Sequence, residues 1–153
     1  MSRSIVLAML AALLVSSAAI ADDYQVKALR VSNPFARATP PGAKVAGAFM
    51  TIRNVGPDAD RLISASSPAA GLVEIHEMAM DGGMMTMRAV KGIDIKPGAT
   101  VELQPGGYHV MLEDLKQPLR QGEQVPMTLT FEKAGAIAIK VSVEAMGAAA
   151  HAH

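Results

Sequence analysis

Apolar and polar residues alternate with a period of two along much of this chain. Val125, Met127, Leu129 and Phe131 interleave with Pro126, Thr128, Thr130 and Glu132. Ile137, Ile139, Val141 and Val143 interleave with Ala138, Lys140, Ser142 and Glu144. Successive side chains of a strand point to opposite faces, so this pattern predicts half-buried strands. Lys133-Ala134-Gly135 is the expected hairpin turn between them. Further strands are predicted over Tyr24 to Val31, Ala48 to Arg53, Leu72 to Met80, Met84 to Val90, Thr100 to Leu103 and Tyr108 to Leu112. The separators are Pro40-Pro41-Gly42, Asn54-Val55-Gly56-Pro57, Asp81-Gly82-Gly83, Lys96-Pro97-Gly98 and Pro105-Gly106-Gly107. No helix-length window survives this punctuation. The expected fold is all-β, a two-sheet β-sandwich.

The first residues follow a different pattern. Arg3 precedes an apolar stretch from Ile5 to Val15, and Ala19-Ile20-Ala21 is a small-x-small cleavage signature. The run is short for a membrane span and meets Asp22-Asp23 at once. We therefore expect residues 1–21 to be a cleaved export signal, 22–146 one domain, and 147–153 a flexible tail. The expected location is the periplasm, with no stable membrane insertion after cleavage. The 153 residues carry 14 basic and 14 acidic groups, no basic stripe and 3% aromatic residues, which argues against nucleic acid as a partner. The chain has no cysteine, so disulfides, a lipid-bearing cysteine and a blue-copper thiolate are not expected.

Without thiols, the soft donors left are thioethers. Six methionines (Met78, Met80, Met84, Met85, Met87, Met111) lie between positions 78 and 111, whereas Met50, Met127 and Met146 read as core or tail. Before the tail, the mature chain has two histidines, His76 and His109. They form an ordered series with two of the methionines: His76, ten residues, Met87, twenty-one residues, then His109-Val110-Met111. If Asp81-Gly82 is a two-residue type I′ turn, Met80 pairs with Gly83, Met78 with Met85, and His76 with Met87. Directly opposed side chains share a face, with Cβ atoms about 4.5–5.5 Å apart. His109 and Met111, at i and i+2, also share a face. Val110 and Leu112, like Val73 and Ile75, then point into the core, and both ligand pairs point away from it. Two imidazoles and two thioethers are neutral, soft-leaning donors that suit Cu(I). Methionine is more often a core gap-filler, but this phase argument weakens that explanation here.

These residues resemble the periplasmic copper chaperone family PCu(A)C. Its motif is His, ten residues, Met, twenty-one residues, His-x-Met, and His76, Met87, His109 and Met111 match it position for position. Phe35-Ala36-Arg37-Ala38-Thr39-Pro40-Pro41, Thr51-Ile52-Arg53-Asn54, Asp60-Arg61-Leu62, Pro105-Gly106-Gly107-Tyr108-His109 and Leu129-Thr130-Phe131 extend the resemblance from about Val31 to Val143. The chain departs from it at Phe35, where members often carry Trp, and at Phe49, where they carry Tyr. Both positions read as structural. The resemblance implies a cupredoxin-like (Ig-like) β-sandwich holding one Cu(I) for assembly of the CuA centre of cytochrome c oxidase. The expected partners are cytochrome c oxidase subunit II or a Sco-type thiol protein, with the carrier itself a monomer.

Secondary candidates are Met78 and Met85, as extra ligands or an apolar rim, and His151 and His153, which the resemblance links to Cu(II). Glu74, Glu77 and Glu113 are candidates to orient an imidazole. No catalytic pattern is found, and an enzyme is not expected. Copper buffering in the same compartment and a metal-free assembly module are the alternative functions.

Overall fold

A computed structural model describes residues 23–147. The expected export signal and all but the first residue of the expected tail, including His151 and His153, lie outside the described residues. Eleven strands follow in chain order: β1 (Tyr24–Val26), β2 (Leu29–Arg37), β3 (Val45–Asn54), β4 (Asp60–Ser66), β5 (Ala70–Asp81), β6 (Met84–Ala89), β7 (Ile93–Ile95), β8 (Thr100–Leu103), β9 (His109–Leu115), β10 (Gln124–Phe131) and β11 (Gly135–Glu144). No helix among the described residues is long and apolar enough to cross a membrane.

The strands hydrogen-bond in the order β6-β5-β9-β3-β2-β11-β10-β4-β7, with β1 added to β2 and β8 to β3. All pairings are antiparallel except β11 with β2. The ladder folds over on itself, so the inner faces of its two ends share one apolar core. Ile75, Val110 and Leu112 from one end join Leu62, Leu129, Phe131 and Val141 from the other. The alternation of β10 holds throughout. Val125, Met127, Leu129 and Phe131 are buried, and three of them face Val141, Ile139 and Ile137 on β11.

Two bends direct the site. β3 splits its partners, giving Val45–Ala48 to β9 and Met50–Arg53 to β8. β2 shifts register between Ser32 and Phe35, where Asn33 takes a φ of 50°. A bulge of this kind re-aims the residues beyond it. Leu29 and Val31 point into the core before the shift and Ala36 after it. Phe35 is thereby turned to the other face, where it pairs with Phe49.

Several expectations change. Tyr24 to Val31 is two strands, because Lys27 adopts a φ of 50° and lets β1 double back on β2. The β10–β11 turn is Glu132-Lys133-Ala134, and Gly135, at φ 84°, already pairs with Phe131. The alternation did not suggest β4 or β7. Ile63 is exposed on β4, which blurs the period, and β7 is only three residues long.

Candidate metal centre

β5, β9, β3 and β2 lie side by side, and each sends residues to the face opposite the main core. β5 contributes Glu74, His76 and Met78; β9 contributes His109, Met111 and Glu113; β3 contributes Gly47 and Phe49; β2 contributes Phe35 and Arg37. His76 and His109 are directly opposed on β5 and β9, with ring centroids 5.7 Å apart and nearly edge-to-face. Phe49 stands 6.3 Å from His109, and Phe35 stands 5.2 Å from Phe49. The four rings form a row across four strands. Arg37 places its guanidinium carbon 5.8 Å from the Phe49 centroid. Gly47 opposes Met111, and a Cβ there would come within 3.2 Å of the Phe49 ring.

The outer face is thus covered rather than open. His76, His109 and Met111 are all buried, at 8%, 4% and 7% exposure, although none belongs to the main core cluster. Met87 is 54% exposed. A cleft of about 250 Å³ is lined by Met78, Met87, His109 and Met111, together with Arg37, Gly47, Phe49, Pro105 and Gly106. Three of the four expected ligands therefore line one cleft, and the fourth, His76, is packed against His109.

The hairpin register differs from expectation by two residues. The turn is Gly82-Gly83, with φ values of 57° and 86°, so Asp81 pairs with Met84 and Met80 with Met85. Met78 therefore opposes Met87, and His76 opposes Ala89. A type I′ turn needs positive φ at both central residues. Gly-Gly meets that need without strain and outcompetes Asp81-Gly82. A shift of two preserves the faces, so Met87 remains on the side of His76 as a diagonal neighbour. Met78 moves into the cleft, and Met85 moves one pair farther out.

Hydrogen bonds select the tautomer of each ring in its neutral form. His76 Nε2 lies 2.9 Å from Glu74 Oε2, and His109 Nδ1 lies 3.2 Å from the Gly107 carbonyl. Both partners can only accept, so these two ring nitrogens carry the protons. That leaves His76 Nδ1 and His109 Nε2 as bare lone pairs, and both are buried without a hydrogen-bond partner. Buried polar atoms are rarely left so, and an exception asks for a partner such as an ion. Burial is the largest influence on His109 and pushes its pKa below the ordinary value. The Gly107 bond opposes this shift, and His76 adds to it.

Of the three carboxylates considered from the sequence, Glu74 meets an imidazole directly. Glu77 instead pairs with Arg88, 2.6 Å from its Nε. Glu113 lies with Glu74 and His76 in a group whose ligand atoms are within 4.8 Å of one another. Sequence reasoning missed Phe49 as a neighbour of His109. The signal was its odd position on β3, opposite in phase to the core residues Ala46, Ala48, Met50 and Ile52.

Comparison with known proteins adds independent findings. Residues 29–143 match the family described as "Putative lipoprotein LpqE-like". The chain is 33% identical over 121 residues to "Putative lipoprotein Lxx21020" of Leifsonia xyli subsp. xyli, covering 78% of this chain and 72% of that protein. Among solved structures, the copper-bound PCuAC domain from PmoF2 is 31% identical with a TM-score of 0.71, covering 81% of this chain and 98% of the domain. The solution structure of CuI-DR1885 from Deinococcus radiodurans is 30% identical with a TM-score of 0.62, covering 82% of this chain and 81% of that one. These neighbours share an all-β, cupredoxin-like sandwich with this chain.

Proposed function

The chain belongs to the LpqE-like family, whose structural neighbours here are PCuAC domains, and from that premise we propose that it is a periplasmic copper chaperone. Its cargo is Cu(I), held by His76 through Nδ1, His109 through Nε2, and the thioethers of Met87 and Met111. The observation that carries this reading is the pair of bare, buried imidazole lone pairs beside a methionine-lined cleft. Neutral nitrogen and sulfur donors leave the ion its single charge, and thioether sulfur favours the reduced metal. Related domains with copper bound, one named as a Cu(I) form, support the same cargo.

The ligands divide by accessibility. The two histidines and Met111 are buried, while Met87 sits at the exposed edge. An incoming pair of thiolates would displace Met87 first and draw the ion outward, because thiolate is the stronger donor. This suits delivery to the CuA centre of cytochrome c oxidase subunit II, directly or through a Sco-type thiol protein. His151 and His153 are proposed as a separate Cu(II)-binding feature of the tail.

Competition titration against a Cu(I) chelator under reducing conditions tests the site. Met87→Ile and His109→Ala are each expected to weaken binding at least tenfold while thermal unfolding stays cooperative. Unchanged affinity in both variants defeats the ligand assignment, and no stoichiometric binding by the parent chain would favour a metal-free module. Deleting the gene separates delivery from buffering. Loss of oxidase activity in scarce copper marks a carrier, and loss of tolerance to excess copper marks a buffer.

A further inference from the structure

The β5–β6 hairpin carries more thioethers than the four-ligand site uses. Its two faces differ sharply. One bears Glu77 opposite Arg88, Ala79 opposite Thr86, and Asp81 opposite Met84. The other bears Met78 opposite Met87 and Met80 opposite Met85, a two-by-two block of methionines that continues from His76 and Ala89. Met80, Met85 and Met87 are 66%, 53% and 54% exposed, and every residue of β6 is exposed. No packing requirement therefore explains them. Exposed strand positions ordinarily favour β-branched residues. What methionine offers there, and leucine, valine or threonine do not, is a soft sulfur donor on a flexible three-bond arm.

We propose that Met80 and Met85 form a second, weaker site for a soft monovalent metal ion, with Met78 and Met87 as its inner boundary. Directly opposed residues have Cβ atoms about 4.5–5.5 Å apart, a separation that two methionine arms can close around one ion. The inner pair, Met78 and Met87, also lines the cleft beside His109, so the two sites share a wall. The outer site has no imidazole and stays open to solvent, which makes it the weaker of the two. An ion caught there is one methionine pair from the cleft. This inference rests on the Cu(I) reading above for its direction of transfer, but not for the existence of the second site.

Silver(I) is a redox-inert probe with the same preference for sulfur. The measurement is a titration of the chain carrying 13C-methyl-labelled methionine, followed residue by residue. The first equivalent is expected to move the methyl signals of Met87 and Met111. A second equivalent, at least tenfold weaker, is expected to move those of Met80 and Met85. In Met80→Leu/Met85→Leu the second step disappears and the first changes less than threefold. Leucine keeps the surface apolar, so a patch that served only for docking would show no silver step to lose. Absence of the second step in the parent chain, or its persistence in the double variant, overturns the proposal. A missing first step with an intact second would refute the four-ligand site and leave the outer one standing.

Discussion

Glu74 stands two residues from His76 on the same strand face and holds the proton of its Nε2. A carboxylate that receives the far proton of a ligating imidazole fixes the ring and raises its donor strength, and losing such a group typically costs about 10–100-fold in metal affinity. Glu74→Ala is therefore expected to weaken Cu(I) binding by about tenfold, read by chelator competition, with the fold retained because the carboxylate is half exposed. An unaltered affinity would reduce Glu74 to a surface hydrogen-bond partner of His76. His109 supplies a pH dependence. Burial lowers its pKa in the folded chain, so the unfolded chain takes up its proton first as pH falls. The folded state then loses stability as pH drops below about 6.5, the ordinary histidine value, and the loss levels off below the lowered folded value. The same shift keeps Nε2 free for metal to lower pH than an ordinary imidazole would allow. Apo-protein melting temperature is expected to decline through this range, and His109→Gln is expected to flatten the decline. Which imidazoles and thioethers share the outer face was readable from the sequence. The tautomers were not, because they depend on the local path that brings the Gly107 carbonyl to His109 and on which of three candidate carboxylates, here Glu74, meets His76.

The β5–β6 hairpin shows how an element can be read with the right faces and the wrong partners. Period two assigned His76, Met78, Met85 and Met87 to one side, and that parity survived. The turn was misplaced because Asp-Gly and Gly-Gly are both strong signals and they overlap at Gly82. Backbone strain decides between them. At φ 57° and 86°, two glycines accept what Asp81 would accept only with strain. Gly83→Val should accordingly cost about 1–2 kcal/mol. The cost should be confined to this arm, seen as faster amide exchange at Ala79 and Thr86 with unchanged exchange at Leu129 and Val141. Cu(I) affinity should fall several-fold in the same variant, because Met87 rides on β6. Uniform loss of protection across the sandwich would mean that the arm is not an independent unit. β2 could not be anticipated in the same way. Its bulge exchanges the core-facing phase within one strand, and an alternation rule cannot see that exchange. Phe35 lies just past that bulge and packs on Phe49, whereas Phe49, whose phase on β3 was legible, lines the cleft beside His109.

On the scale of the molecule, the core and the site are held by the same strands but by opposite faces. Val110 and Leu112 anchor β9 inward, while His109 and Met111 face outward. Stability and metal binding should then respond separately to mutation. Leu129→Ala removes a fully buried side chain at the far end of the ladder and is expected to cost about 2–5 kcal/mol. Its Cu(I) affinity should match the parent, since β10 contributes nothing to the cleft. His109→Ala should show the converse, with a modest stability change and a large loss of binding. Linkage joins the two measurements. An ion that binds only the folded state adds about 2.7 kcal/mol when its free concentration is 100 times Kd. Under chelator-buffered Cu(I), parent and Leu129→Ala should gain the same increment in unfolding free energy, each from its own baseline, while His109→Ala gains little. If the increment in Leu129→Ala were clearly smaller, the core would be tuning the site through β9, and the separation of the two faces would fail. Equal increments would mean that one sandwich keeps its rigid interior independent of the candidate site on its outer face, whose outermost thioether, Met87, stays exposed.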